Sequence, residues 1–127
     1  MRIPKDDIPV KLDVPGAKAR QLSDFGEASG TIGAEYFSLG TGTDIAPLLQ
    51  GLEHDACHAP HWGYVISGVV IASYVDGTED RCVGGDVFHW PPFHSVRVEQ
   101  DAEVILFSPQ HEHLAVMGHM AGKLGVA

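Results

Sequence analysis

Short stretches of alternating apolar and polar residues, separated by glycine and proline, make up most of the chain. Each stretch is rich in Val, Ile, Tyr or Phe and runs about 5 to 7 residues, the usual length of a β-strand. The stretches read EYFSLG, HWGYVIS, VVIASYV, EDRCV, DVFHW, SVRVE and EVILFS. The 15 Gly and 8 Pro fall mainly between them. This pattern predicts an all-β domain built as a sandwich, a jelly roll or a barrel.

Three dipeptides predict where the strands turn. Asp76-Gly77 separates VVIASYV from EDRCV and is typical of a tight hairpin, in which both central residues take positive φ. Gly84-Gly85 predicts a second turn. Pro91-Pro92 ends the stretch DVFHW, because proline has no N–H to donate to a central sheet.

The two ends of the chain have patterns of their own. Residues 1–30 are expected to form an arm and a first strand, residues 31–108 the barrel, and residues 109–127 a tail. Apolar residues at 114, 117, 120, 121 and 124 recur with a period near 3.6 and predict a short C-terminal helix. The segment QHEH, residues 110–113, follows Pro109 and is interpreted as a solvated turn. The alternative is a strand on which His111 and His113 share a face and could chelate a metal.

Composition narrows the possible partners. A chain of 127 residues fits one domain, and its formal charge of −9 disfavours binding to nucleic acid or to anionic lipid surfaces. No apolar run approaches the roughly 20 residues that a membrane span needs, and the first residues do not resemble a secretory signal. Cys57 and Cys82 are expected to be reduced thiols, and we expect a cytoplasmic protein.

Two segments resemble the signature motifs of the cupin superfamily. HAPHWGYVISG ends in Gly68, which matches the glycine that closes the first motif, and GGDVFHWPPFH places Gly85, Asp86 and Pro91 where the second motif has its glycine, acid and proline. The resemblance covers about residues 31 to 108. Within the superfamily, the chain is similar to a subgroup of small single-domain bacterial cupins. It implies a double-stranded β-helix, the jelly-roll barrel whose mouth holds the family's metal or ligand.

The chain departs from both motifs at positions that matter for metal binding. His61 stands where the first motif has its acid, and the two motif histidines fall on Asp55 and Cys57 or, with the longer spacing, on His54 and Ala56. In the second motif, Phe93 stands where the family has glycine and Val96 where it has histidine. His94 lies two residues earlier, on the same strand face as Val96. We expect a shortened turn in which His94 takes the ligand role and Phe93 has ordinary backbone angles.

These residues define the predicted site. His61 and His94 are the expected ligands of a divalent metal, with Cys57 as the third ligand and Asp55 as the alternative to it. Imidazole nitrogen, thiolate sulfur and carboxylate oxygen all bind such metals, and two histidines with a carboxylate would favour iron. Zinc, iron, nickel and manganese all remain open, with thiolate ligation favouring zinc. His54, Asp55, His58 and His89 are predicted to contact an organic ligand, with His58 at the rim and His89 either lining the pocket or packed in the core.

Two functions follow from this site. The first is a small metal-binding cupin, with oxygenase- or isomerase-like chemistry if it is an enzyme. The second is a non-catalytic small-molecule-binding or regulatory cupin that has lost its metal site. We also expect a homodimer, because EVILF is apolar on both faces of a strand and HWGY carries aromatic side chains on the face opposite His61.

Overall fold

The computed structural model describes residues 1–125. Its strands are β1 (Arg2–Pro4), β2 (Val10–Val14), β3 (Ala17–Arg20), β4 (Ile32–Leu39), β5 (His61–Tyr74), β6 (Glu79–Val83), β7 (Asp86–Trp90) and β8 (His94–Pro109). Its helices are α1 (Ala46–Leu49) and α2 (Gln110–Leu124), and short 3₁₀ turns lie at Lys5–Asp7 and Glu53–Asp55.

Six strands form one antiparallel sheet in the order β1-β7-β5-β8-β4, with β6 also paired to β5. The start of β5 pairs with β7, the end of β5 pairs with β6, and its other edge runs along β8 from Trp62 to Tyr74. Register shifts interrupt the β5–β8 pairing between Val65 and Val70, and such bulges increase the twist of a sheet. The predicted all-β jelly-roll fold is confirmed.

Gly68 lies at this irregular part of β5. Its φ is 86°, and a Cβ added there would lie 2.0 Å from the carbonyl oxygen of Asp101 on β8. Only glycine accepts both the positive φ and the close approach of the neighbouring backbone. The glycine that closes the first motif is therefore required where the two long strands bend past each other.

The strand alternation predicted from the sequence places one face of the sheet in the core. Along β8, Val96 and Val98 are buried, while the alternating residues Arg97 and Glu99 are exposed. The inner-face residues that pack together are Val65, Val70, Ala72, Cys82, Phe88, Trp90, Val96, Val98, Ala102, Val104 and Leu106. Burying one such Val, Leu or Phe side chain stabilises the fold by about 1.5–3 kcal/mol.

The predicted turns are present. Asp76-Gly77 lies between β5 and β6, and Gly84-Gly85 lies between β6 and β7. Gly77 has positive φ but Asp76 does not, which differs from the expectation that both central residues would take it. The carboxylate of Asp76 instead accepts hydrogen bonds from the backbone N–H and the hydroxyl of Thr78. The side chain thereby holds the turn that the backbone alone was expected to form.

The N-terminal arm contributes one edge strand and a separate hairpin. β1 pairs with β7, while β2 and β3 pair only with each other. The apolar residues of β2, Val10, Leu12 and Val14, are exposed. Phe25 lies beyond the hairpin, and its carbonyl oxygen accepts a hydrogen bond from the indole N–H of Trp62. The arm therefore covers the outer face of β5 and adds little to the inner core.

Helix α2 confirms the predicted C-terminal helix but starts earlier than expected. It begins at Gln110, so the interpretation of QHEH as a solvated turn is wrong. Its buried residues are His113 and Val116, whereas Leu114 is exposed, so the buried stripe is displaced by about one residue from the predicted one. The helix ends at Gly125, whose left-handed conformation is common after a C-terminus. Among residues 1–125, no helix is long and apolar enough to cross a membrane.

Candidate functional site

A cavity of about 170 Å³ lies between the inner face of the barrel and helix α2. Most of its wall is apolar and is formed by Phe37, Leu39, Ile45, Trp90, Val96, Val104, Leu106, Val116, Met117 and Met120. The other lining residues are Cys57, His61, His94 and His113. The barrel mouth therefore combines an apolar cavity with a group of side chains that can bind a metal or a hydrogen-bonding ligand.

Cys57 and His94 are brought together by backbone pairing. The N–H of Cys57 donates to the carbonyl oxygen of His94 at 2.8 Å, and the N–H of His94 donates to the carbonyl oxygen of Cys57 at 3.2 Å. This isolated bridge fixes the loop before β5 against the start of β8. Because the two residues are directly opposite each other, their side chains can reach the same point in the barrel.

His61 is the first residue of β5 and points inward, as expected. It is 4% exposed, and its Nδ1 lies 2.6 Å from the hydroxyl oxygen of Ser108 near the end of β8. Its Nε2 lies 3.5 Å from the sulfur of Cys57. The ring of His94 is held in a similar way, since its Nδ1–H donates to the carbonyl oxygen of Pro91 at 2.7 Å. In both rings the hydrogen bond at Nδ1 leaves Nε2 for another partner.

The three predicted metal ligands converge. One donor atom each from Cys57, His61 and His94 can be chosen so that all three lie within 4.8 Å of one another, and all three residues are buried. A thiolate and two imidazoles are ligands that zinc and other first-row metals accept. Metal-bound histidines usually donate their second ring nitrogen to an oxygen acceptor, as the Nδ1 contacts here allow. The donor set therefore fits a divalent transition metal.

Burial controls the protonation of this cluster. It raises the pKa of the Cys57 thiol to about 11, with smaller raising effects from Glu112 and Glu35. Burial also lowers the pKa of His94 to about 4 and holds that of His61 well below its ordinary value. At neutral pH the two imidazoles are therefore uncharged and ready to coordinate, and a metal must displace the proton of Cys57.

His113 is a site residue that the sequence analysis missed. It is 4% exposed, its ring centroid lies 4.5 Å from that of His61, and its Nδ1–H donates to the Glu35 carboxylate on β4. The sequence signal that could have identified His113 is the helical period of the C-terminal segment. Extending the predicted helix by one turn puts His113 on the same stripe as Val116 and Met120, three and seven residues later.

Three of the predicted ligand-binding residues lie outside the cavity. His54 is exposed and packs edge-to-face on Phe93 with ring centroids 5.0 Å apart. The carboxylate of Asp55 accepts a hydrogen bond from the backbone N–H of Gly51 at 2.9 Å, and His58 is half-buried without lining the cavity. Their contact with an organic ligand stays a prediction, and the geometry gives them local roles in the loop before β5.

His89, the fourth predicted ligand-binding residue, lies on the outer face of β7. Its ring stacks on Trp62 with centroids 4.6 Å apart, and Phe25 of the arm covers it. It does not line the cavity. His89 therefore packs under neighbouring side chains and does not line the pocket. It does so on the face of the sheet opposite the barrel core.

The turn before β8 differs from the expected one. Phe93 has a φ of 70°, so the expectation of ordinary backbone angles there is wrong. The backbone keeps the left-handed conformation that glycine adopts in the family motif, and the N–H of Phe93 donates to the carbonyl oxygen of Cys57 at 2.6 Å. His94 nevertheless points into the cavity together with Val96, because residues two apart share a strand face.

Comparison with solved structures finds proteins with distant similarity to the chain. The chain is similar to protein NMB1881 from Neisseria meningitidis, with 12% identity, a TM-score of 0.47 and coverage of 75% of this chain and 90% of that one. It is also similar to the sensor domain of the transcriptional regulator DNR from Pseudomonas aeruginosa, with 16% identity, a TM-score of 0.42 and 72% of each chain covered.

A third similar structure is oxalate decarboxylase OxdC from Bacillus subtilis, with 18% identity and a TM-score of 0.43. That alignment covers all of this chain but 37% of the enzyme. No family model matches the sequence, and the comparison with curated proteins finds no match. The strand pairing of the chain itself confirms the all-β jelly-roll fold predicted from the sequence.

Proposed function

We propose that the protein binds a divalent transition metal through Cys57, His61 and His94 and holds a small organic ligand in the adjoining cavity. The observation that carries this proposal is the convergence of three buried donor atoms within 4.8 Å. Three protein ligands leave a coordination position for water or for a ligand. One thiolate with two imidazoles favours zinc over magnesium or calcium, which prefer oxygen.

The residues around the donors support the same proposal. Ser108 and the carbonyl oxygen of Pro91 orient the rings of His61 and His94, so that little reorganisation is needed when a metal arrives. The metal would act as a Lewis acid that polarises an oxygen of the bound ligand. The chain's own contribution is to position that ligand and to keep water out of an apolar cavity.

Cobalt substitution tests the metal site directly. Protein purified without a His tag is stripped with a chelator and titrated with Co²⁺, whose thiolate charge-transfer band reports coordination by cysteine. We expect one equivalent of cobalt with that band in the wild type and no band in Cys57→Ser. Cys82→Ser is the matched control, because Cys82 is also buried but lies in the core away from His61 and His94. No binding to the wild type, or an unchanged band in Cys57→Ser, contradicts the proposal.

The second candidate is a ligand-binding or regulatory module without a metal. The apolar lining of the cavity supports it, since such a cavity binds an organic molecule without help from an ion. Metal analysis separates the two candidates. Wild-type protein that stays free of metal after reconstitution, yet binds an organic ligand, supports the second.

We further propose a homodimer formed through the outer face of β4, β5 and β8. Tyr36, Tyr64 and Ile105 are aligned across these three strands, and Phe107 lies beside them. Tyr36 is 59% exposed and Phe107 is 48% exposed, which is more aromatic surface than an isolated barrel usually presents. We expect light scattering at micromolar concentration to give twice the mass of the chain.

Variants test which face forms this dimer. Tyr36→Glu is expected to give a monomer, because it places a charge in the middle of the apolar row. Val75→Glu is the control, since Val75 is equally exposed but lies at the turn after β5. A monomeric wild type contradicts the dimer, and a dimeric Tyr36→Glu contradicts the chosen face. We also assign the protein to the cytoplasm, where its two free thiols would stay reduced.

A further inference from the structure

We propose that the cavity selects an uncharged molecule with one six-membered ring and a single hydroxyl group, and that His113 on α2 forms a hydrogen bond with this hydroxyl group. Phenol is the simplest member of this class. The inference rests on the proposed function, since it names the ligand class of the same site. It is carried by the size of the cavity, by the position of its polar side chains and by the Glu35–His113 pair.

The size of the cavity limits the body of the ligand. Its volume is about 170 Å³, and an apolar protein cavity of about 150 Å³ is known to accommodate benzene. We expect a ligand with two fused rings to bind less tightly, because it would exceed the volume of the cavity or displace α2. The wall also carries aromatic side chains and two methionines, whose sulfur atoms make favourable contacts with aromatic rings.

The polar side chains of the cavity form one group. The ring centroids of His61 and His94 are 4.9 Å apart, those of His61 and His113 are 4.5 Å apart, and the sulfur of Cys57 contacts His61. Since the other lining side chains are apolar apart from the indole of Trp90, a bound molecule has one cluster of polar side chains to pair with. No lysine or arginine of the described chain lines the cavity, so in the metal-free protein a carboxylate would have no cationic group to pair with.

His113 is fixed in an orientation that suits a hydroxyl. Its Nδ1–H donates to Glu35, a carboxylate that is itself mostly buried, with 15% of its side chain exposed. Within residues 1–125, Nε2 of His113 has no hydrogen-bond partner, and the residue lines the cavity. Because Nδ1–H is held by Glu35, Nε2 is the ring nitrogen left for a ligand, and a hydroxyl, which can both donate and accept a hydrogen bond, is the smallest group that pairs with it.

A series of four ligands tests the size and the polar group separately. Calorimetric titrations of zinc-loaded and of chelator-treated protein use phenol, toluene, benzoate and 2-naphthol. We expect phenol to bind about tenfold more tightly than toluene, the difference that one hydrogen bond supplies, and more tightly than the other two. Equal affinities for toluene and phenol would overturn the role of the hydroxyl. Benzoate binding more tightly than phenol to the chelator-treated protein would overturn the uncharged class. Equal affinities for 2-naphthol and phenol would overturn the size limit.

Two variants connect this selectivity to α2. Met117→Trp fills the cavity and is expected to weaken phenol binding at least tenfold, whereas Leu114→Trp, on the exposed side of the same helix, is expected to leave it unchanged. The double variant Glu35→Leu/His113→Leu leaves no unpaired buried carboxylate. We expect its affinity for phenol to fall about tenfold and its affinity for toluene to change by less than about twofold. Equal losses for both ligands overturn the role of His113.

Zinc titration of the same samples separates this inference from the proposed function. If zinc binds and the wild type does not bind phenol in either state, the ligand class is overturned while the metal site stands. If phenol binds with the expected selectivity but zinc does not bind, the metal site is overturned while the ligand class stands. Both arms use the full chain, and Met117→Trp should still bind zinc because Met117 is not one of the three proposed ligands.

Discussion

The two faces of the barrel wall carry buried histidines in different settings. On the inner face, His61 and His94 each have Nδ1 in a hydrogen bond, and their Nε2 atoms lie near Cys57 or the cavity. On the outer face, His89 is equally buried, but its Nδ1 has no hydrogen-bond partner within the described residues, and its ring is stacked on Trp62. Burial lowers the pKa of all three imidazoles.

This difference shows that burial and a lowered pKa do not by themselves identify a ligand. An outer-face histidine under an aromatic side chain shows the same direction of pKa change as a histidine in the metal cluster. What separates them is convergence: the inner pair meets a cysteine, and its rings are oriented by a hydroxyl and a carbonyl oxygen. The predictions below compare the two faces by changing one at a time.

The largest expected difference concerns stability. Phe88 on the inner face of β7 is fully buried and stacks on Trp90 with ring centroids 3.9 Å apart. Phe88→Ala is expected to lower the free energy of unfolding by about 3–5 kcal/mol, the usual cost of such a cavity. Val87→Ala, at the neighbouring half-buried position, should cost about 1 kcal/mol or less. Urea denaturation measures both, and similar losses would show that the outer face carries as much of the core as the inner one.

The next prediction concerns metal affinity. His61→Ala is expected to weaken zinc binding by about a hundredfold or more, since it removes a direct ligand, whereas loss of a supporting residue alone typically costs 10- to 100-fold. His89→Ala and His58→Ala should change the affinity less than about threefold, because neither lies in the cluster. Competition titration with a zinc chelator gives the three affinities. Equal losses in all three variants would place the metal site elsewhere.

A third prediction uses pH. Burial lowers the pKa of His94 from 6.5 to about 4, so between these values the unfolded chain binds a proton that the folded chain does not. The stability that the neutral ring provides is complete above pH 6.5 and is lost as the pH falls toward 4. The slope from one such group is at most about 1.4 kcal/mol per pH unit.

Metal-free wild type and His94→Asn are compared by urea denaturation between pH 7.5 and pH 4.5. We expect a smaller loss of stability with falling pH in the variant, because the group that takes up the proton is gone. The absolute stability of His94→Asn does not enter the comparison, since only the slope is read. Parallel pH profiles for the two proteins would contradict a neutral His94 in the folded state.

The smallest expected effect concerns Phe93. Its φ of 70° is unfavourable for a bulky residue, at a cost on the order of 1 kcal/mol. Phe93→Gly is expected to raise the melting temperature by a few degrees, reduced by the loss of the contact with His54 and by the added freedom of the unfolded chain. Phe93→Ala is the control, because it loses the same contact without relieving the backbone. A melting temperature for Phe93→Gly below that of Phe93→Ala would contradict strain at this residue.

Local pattern was enough to predict most strands and turns. EDRCV and DVFHW became β6 and β7 with the same bounds, because a period of two and flanking turn residues are local properties. HWGYVIS and VVIASYV were expected as separate strands but join in β5, since Gly68 bends the chain without ending the pairing. Val96 and His94 were both expected on the inner face, which follows from strand periodicity regardless of how the preceding turn is built.

The sequence by itself determined the all-β class and which residues share a strand face, because both depend on spacing within a single strand. Its resemblance to the cupin motifs implied the barrel, the inward position of His61 and the choice of Cys57, His61 and His94 as candidate ligands. Only the tertiary structure decided that Cys57 pairs with His94 and that His113 reaches the cavity beside Glu35. Glu35 and His113 are 78 residues apart in the chain, and their contact depends on how α2 packs across the end of β8. Periodicity specifies which face a residue lies on, whereas the meeting of distant faces depends on the packing of the whole core.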